Sequence, residues 1–223
     1  MVWTCDVAVV GGGLTGLLAA GSLAAAGRRV TVLQAGPVLG GRARSTDHDL
    51  FRLNFGPRAL YRGPARSALR RLGIRPAGGP PPAKAAWALF DGRLHPGFMT
   101  VGGVLSSPLL AYRDRAALTG LLGLVRARPA LAAMTAAEWL ASGLPSQRSR
   151  LAAAALIRVA TYLGSPELAS ADAVAGQLAA ARLGVRYLDG GWQSLVDALH
   201  RRVSRLGATV LTGRRVAALE AGG

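Results

Sequence analysis

"DVAVVGGGLTGLLAAGSLAAAGRRVTVLQ", residues 6–34, is the stretch on which the fold turns. Residues 5–10 read as a buried strand ended by glycines. An Ala/Leu-rich helix follows over 14–26 and stops at Gly27, a common punctuation after a helix C-terminus. "RRVTVLQ" is a second strand, rich in β-branched residues as a buried parallel strand should be. Strand, helix and strand within about 30 residues make a βαβ unit. Residues 7–27 carry no charge and are long enough to span a membrane. Their glycines and the change from β-type to helical patterning halfway along argue against a span. A basic start and a cleavage pattern, the marks of a signal peptide, are also missing.

"GGGLTG" places Gly11, Gly13 and Gly16 in a G-x-G-x-x-G pattern, directly after a strand and opening a helix. In that context Gly11 allows the tight turn, Gly13 lets the backbone approach a pyrophosphate, and Gly16 lets helix and strand pack closely. The phosphates then face free backbone N–H groups at the positive end of the helix dipole. Gln34 ends the second strand, where an acid would accept hydrogen bonds from both ribose hydroxyls. An amide accepts and donates but loses charge-assisted strength, on the order of 1–2 kcal/mol. That is roughly ten- to thirty-fold in affinity. A neutral residue also repels a 2′-phosphate less, so on this feature alone NADP competes with other dinucleotides.

"DVAVVGGGLTGLLAAGSLAAAGRRVTVLQAGPVLGGRARS", residues 6–45, closely resembles the N-terminal FAD motif of the flavin-dependent amine oxidase, phytoene desaturase and protoporphyrinogen oxidase superfamily. The resemblance implies that Gly40 and Gly41 let the loop pass close to the flavin side of FAD, and that Arg42 contacts the pyrophosphate or ribityl region. A guanidinium suits that role, being permanently charged and bidentate toward phosphate. Thr15 would sit under the phosphates. "FRLNFGPRALY" resembles the segment that runs beneath the isoalloxazine, with Gly56 at the close approach. "YLDGGWQSLVDALHRRVSRLGATVLTGRRVAALE" resembles the return to the FAD domain, with the backbone of Val216 bracketing the adenine. The turn Asp189-Gly190-Gly191 within it reads equally well as a simple helix entry.

Four departures accompany the resemblance. Gln34 replaces the ribose-binding acid, Gly36 stands where some relatives place a basic residue, and Asn54 occupies a site that is often aspartate. The family's later half, with its C-terminal Gly-Asp segment, has no counterpart. Family members run to about twice this length, so the chain is expected to be an N-terminal portion of a longer fold.

The remaining sequence fills in the architecture. "RPAGGPPPA" at 75–83 reads as a stiff connector, and "AWALFDGRLHPGF" as a hairpin around Asp91-Gly92. Residues 106–183 are mostly helical, and Thr135 with Glu138 forms a capping box. An amphipathic helix carries Leu195, Leu199, Val203 and Leu206 on one face. "ATVLTG" and "RRVAALE" read as strands, and "AGG" at 221–223 as a turn leading onward. The expected class is α/β: a Rossmann-like FAD-binding domain with a parallel sheet, plus a mostly helical inserted substrate-domain segment. The expected divisions are 1–75, 76–185 and 186–223.

Composition bounds the function. The net charge of +16 suggests nucleic acid or an anionic surface. Yet the basic residues are scattered, Lys84 is the only lysine, and aromatics make up 5%, which leaves few base-stacking platforms. No nucleic-acid partner is expected. Cys5 is the single cysteine, so no intramolecular disulfide forms, and His48, His95 and His200 lack ligand spacing. No metal is expected, and no acid or histidine falls in a recognisable catalytic constellation. The expectation is an FAD-dependent oxidoreductase that takes a hydride from an apolar or amine substrate. Its small-molecule substrate would be lipophilic and its setting cytoplasmic, with peripheral membrane contact. The alternatives are an NAD(P)-binding Rossmann oxidoreductase and a non-catalytic dinucleotide-binding remnant.

Overall fold

The computed structural model describes residues 4–56, 58–82, 86–97, 100–123 and 129–220. The far end of the connector at 83, Lys84, the end of the hairpin reading at Phe98 and the closing turn at 221–223 lie outside these. The chain divides into two compact units, Met1–Gly79 with Arg186–Gly223, and Pro80–Val185.

The first unit opens with the βαβ arrangement. Strand β1 (Val7–Val10) pairs in parallel with β2 (Val30–Leu33), Val7 opposite Val30 and Val10 opposite Leu33. Helix α1 (Leu14–Ala25) crosses between them, and Gly27 at φ +78° turns the chain out of it. Strand β10 (Thr209–Leu211) pairs in parallel with the other side of β2, giving the order β1-β2-β10. Central β2 is buried through Val30, Thr31 and Val32. The reading of β1 as a buried strand is corrected: none of its residues is buried, and Val10 is 58% exposed. Among the described residues β1 has one ladder neighbour, β2, and its residues alternate between half-buried and exposed.

Helix α8 (Gly191–Arg205) shares its apolar face with α1. Leu195, Val196 and Leu199 meet Leu17 in one cluster, while Val203 meets Ala20 and Ala24 in the next. Each large side chain so buried contributes ~1.5–3 kcal/mol. The unit also holds a hairpin of β3 (Ser45–His48) and β4 (Phe51–Asn54), and then β5 (Leu60–Tyr61) and α2 (Pro64–Arg71). Part of the presumed connector is strand: β6 (Gly78–Gly79) pairs antiparallel with β9 (Val185–Leu188). A side chain on Gly78 would run into the carbonyl of Tyr187, so glycine alone permits that approach.

The "RRVAALE" reading as a strand is also corrected. Residues 214–220 form no regular element. Arg214 N–H donates to the Gln34 carbonyl and Gly213 N–H to that of Gly36, after which the segment has no ladder partner among the described residues. Leu219 is 84% exposed.

The second unit is a hairpin and a helical cluster. β7 (Trp87–Phe90) and β8 (Arg93–Pro96) meet at Asp91 and Gly92, both with positive φ. That is the pattern of a two-residue primed turn. α3 (Val101–Ser106), α4 (Tyr112–Gly123), α5 (Ala136–Gly143), α6 (Gln147–Thr161) and α7 (Ala171–Arg182) follow. They enclose Val104, Leu118, Leu140, Ile157 and Val174. The capping box forms at α5: Thr135 N–H donates to the Glu138 carboxylate at 2.7 Å, and Glu138 N–H to the Thr135 hydroxyl at 3.2 Å. Those bonds hold the Glu138 carboxyl below its usual range.

Candidate functional site

The glycine loop lies between the end of β1 and the start of α1, and each of its glycines answers to a different constraint. Gly11 has φ +101°, a left-handed conformation that glycine adopts freely, and its N–H donates to the Leu33 carbonyl at 2.8 Å. A Cβ on Gly16 would run into the carbonyl of Gly11. Gly13 is different. Its φ of −78° and ψ of 179° suit any residue, and an added Cβ would meet nothing closer than the Gly40 carbonyl oxygen at 3.9 Å. Neither the backbone nor the packing within the protein calls for glycine there.

Gly13 is also the residue that enters α1. No side chain caps this helix and no acid stands in its first turn, which contains the exposed Thr15. Unpaired N–H groups and the positive dipole end together favour an anion at this position.

The second loop is brought against the first. Gly40 N–H donates to the Gly12 carbonyl at 2.8 Å, and Gly13 and Gly40 form a parallel bridge. Gly40 (φ +107°) and Gly41 (φ +53°) turn the chain into a short 3-10 helix, Gly41–Ala43. Gly41 lies against Gly13: its added Cβ would stand 3.8 Å from the Gly13 Cα. Arg42 is exposed, and Arg44 stacks over the Phe55 ring at 5.2 Å.

Gln34 joins this assembly through its side chain. Gly12 N–H donates to Gln34 Oε1 at 2.8 Å. The amide oxygen thus accepts one bond from the glycine loop and keeps a second lone pair, while Nε2 makes no hydrogen bond among the described residues. Arg214, bonded to the Gln34 carbonyl, anchors the segment in which half-buried Val216 lies two residues on. Gly56 sits apart from these contacts, at φ +91° just after β4, with open space on its side-chain side. The structure thus gathers Gly11, Gly13, Thr15, Gly16, Gln34, Gly40 and Gly41 into one locus. It places Arg42 at the rim and gives Gly56 no contact with the group.

Two residues have roles that sequence reasoning missed. Asn54 Oδ1 accepts from Trp192 N–H at 2.9 Å and from the Ser45 hydroxyl at 2.7 Å, while Gln193 N–H donates to Ser45 Oγ at 3.2 Å. Asn54 and Ser45 cap α8, and the Asp189-Gly190-Gly191 turn is a helix entry with Gly190 at φ +71°. A signal was present: a helix opening on two glycines has no side-chain cap of its own, so a cap, where there is one, comes from elsewhere. Among the described residues, no group of three or more His, Cys, Asp or Glu could hold a metal ion.

Comparison with known proteins bears on this locus. Residues 9–72 match the NAD(P)-binding Rossmann-like domain family. A 52-residue stretch is 52% identical to the carotenoid 3,4-desaturase of Haloarcula japonica, covering 23% of this chain and 10% of that protein. Among solved structures, an oxidoreductase from Methanosarcina mazei aligns with a TM-score of 0.72 at 23% identity, over 92% of this chain and 50% of that one. Putrescine oxidase in its putrescine-bound form aligns with a TM-score of 0.66 at 20% identity, over 94% and 51%. The chain therefore carries a Rossmann-like dinucleotide-binding domain. It shares its fold with these two solved structures and spans about half the length of each.

Proposed function

We propose that this protein binds FAD and serves as a flavin-dependent oxidoreductase of the amine oxidase and phytoene desaturase type. The observation that carries the reading is Gly13, a glycine required neither by its φ nor by its neighbours, at the mouth of an uncapped helix. Close approach of a phosphate explains it. Gly11 and Gly16 build the turn and the packing beneath it, and the N–H groups around Thr15 hold the pyrophosphate. Gln34 meets the ribose, and Val216 brackets the adenine through its backbone. Gly40 and Gly41 pass along the flavin side, Arg42 reaches the pyrophosphate or ribityl chain, and Gly56 lies beneath the isoalloxazine. Bound FAD would supply a hydride acceptor toward an apolar or amine substrate, while the protein positions and shields it.

A lipophilic substrate is favoured by a cleft of about 390 Å³ within the second unit, lined by Phe90, Leu109, Leu151 and Val159 among others. Exposed Trp87, Leu89 and Leu94 on the nearby hairpin favour peripheral contact with a membrane surface. Among the described residues, no helix is long and apolar enough to cross one.

A second reading, a nicotinamide dinucleotide, is favoured by the neutral Gln34, whose free amide nitrogen suits a 2′-phosphate. Parallel titrations with FAD and NADPH separate the two. The expected result is a yellow protein that releases flavin on denaturation and prefers FAD. A colourless protein that FAD cannot reconstitute overturns the proposal.

A further inference from the structure

A second cleft, of about 520 Å³, lies within the first unit on the far half of α8. Arg201, Arg202 and Arg205 line it from that helix, and Arg75 lines it from the loop that follows α2. Spacings of three and four place the α8 arginines along one side of the helix's last turns. Leu72 and Ile74 supply an apolar wall. The segment that follows is held by Arg186, whose Nη1 donates to the Gly78 carbonyl at 2.6 Å and to that of Pro76 at 3.4 Å.

Arginines near a helix C-terminus can simply bond its last carbonyls. Here they do not. Arg202 Nε is buried with no hydrogen-bond partner among the described residues. A buried donor without an acceptor costs free energy, and a guanidinium raises that cost. Asp189 is the one carboxylate on the lining, and it forms no ion pair with any of the four arginines. Ser194, also on the lining, already donates to the Asp189 and Gly191 carbonyls. Among the described residues the lining thus carries four guanidinium groups and one carboxylate, with no ion pair between them.

We propose that this cleft binds an organic phosphate, its phosphoryl oxygens taken by Arg75, Arg201, Arg202 and Arg205 and its body lying on Leu72 and Ile74. Guanidinium forks match phosphate oxygens in pairs. Four of them against one carboxylate suit a diphosphate or a phosphate bearing a further anionic group. A simple monocarboxylate would leave most of the donors unmet. The same chemistry is offered by a soluble phosphate ester and by an anionic phospholipid headgroup. The site is separate from the glycine loop, and none of its residues belongs to the dinucleotide reading.

Isothermal titration of the whole protein with sodium pyrophosphate, at constant ionic strength and in the presence of excess FAD to occupy the glycine loop, tests it. One saturable site is expected, weakened roughly tenfold or more by Arg202→Gln and by Arg205→Gln, since each removes charge-assisted hydrogen bonds. Arg93→Gln, on the hairpin of the other unit, should leave affinity within about twofold. Should Arg202→Gln fail to fold by circular dichroism, the exposed Arg205 decides the matter. Absent or unsaturable binding, or equal weakening by Arg93→Gln, overturns the proposal, and binding seen only when FAD is left out does so by assigning the anion to the glycine loop. Phosphatidylglycerol vesicles, with phosphatidylcholine as control, then identify the source. Binding that pyrophosphate displaces and Arg205→Gln abolishes assigns a lipid headgroup. Pyrophosphate binding without vesicle binding assigns a soluble ester. Either result sustains the site.

Discussion

Replacing Gly13 with alanine should separate cofactor binding from folding. The backbone there is extended, and the new methyl would lie 3.9 Å from its nearest neighbour, an ordinary contact. Alanine is a poorer N-cap than glycine by about 0.5–1 kcal/mol. Restricting the unfolded chain returns about 0.4–1 kcal/mol. These terms offset, so Tm should move by less than about 3 °C in a chain of this size. The proposed cofactor would meet a different situation, because the methyl would stand where its phosphate is proposed to pass. Forcing an extra methyl into a close-packed contact costs about 1–3 kcal/mol, or roughly five- to 150-fold in affinity. Flavin fluorescence titration measures the affinity, and calorimetry the Tm. Gly16→Ala is the contrasting control: its Cβ meets the Gly11 carbonyl, backbone that cannot give way, so stability and cofactor binding should fall together. If the Gly13 variant keeps its Tm and binds FAD within about twofold of wild type, the close-approach argument is wrong.

Other substitutions probe the surrounding parts. Gln34→Glu keeps an acceptor for Gly12 N–H and turns a second acceptor toward the ribose, so FAD should bind roughly tenfold tighter and NADPH more weakly, by competitive titration. Asn54→Ala removes the cap on α8 and should cost about 1 kcal/mol, lowering Tm by about 2–4 °C by calorimetry, whereas Asn54→Asp should hold or raise it. Asp6 accepts three hydrogen bonds from Arg29, at 2.8, 3.0 and 2.8 Å, which hold its carboxyl below the usual range. Because the folded pKa is the lower one, this pair stabilises fully above the unfolded value of 3.8 and fades as pH falls through the folded value. The gap in denaturation midpoint between wild type and Asp6→Asn should stay level near neutrality and close between about pH 4 and pH 2.

The βαβ unit was legible because its signals are local: β-branched runs, a helix of Ala and Leu, and glycines where the chain must turn. What stayed hidden depends on neighbours. The residues of β1 are as apolar as those of β2, but only β2 has a strand on either side, and sequence does not count neighbours. "RRVAALE" has the composition of a strand without a partner to pair with. Gly78–Gly79 carries no strand propensity at all, yet it pairs because a close carbonyl tolerates nothing larger. Asn54 and Ser45 cap a helix that begins far along the chain, and only the bare Gly190-Gly191 entry hinted that a cap was needed.

At Gln34 the structure changes the question the sequence raised. As a residue type, glutamine differs from glutamate in the strength of the bonds it can accept. With Oε1 already accepting from Gly12 N–H, a ligand at the proposed site would find one lone pair and the amide donor, where glutamate would offer a second carboxylate oxygen. A ribose hydroxyl can satisfy either, since it both donates and accepts, whereas a phosphate ester can only accept. On the proposed reading the residue would permit FAD without favouring it, and selection between dinucleotides would fall to the loop bearing Gly40, Gly41 and Arg42. That loop is tied to Gly12 and Gly13 through its backbone and packed through Leu39 and Ala43, so its position is set in part by the hydrogen bonds that shape the proposed phosphate site. A change that loosens it should weaken the grip on pyrophosphate and flavin together.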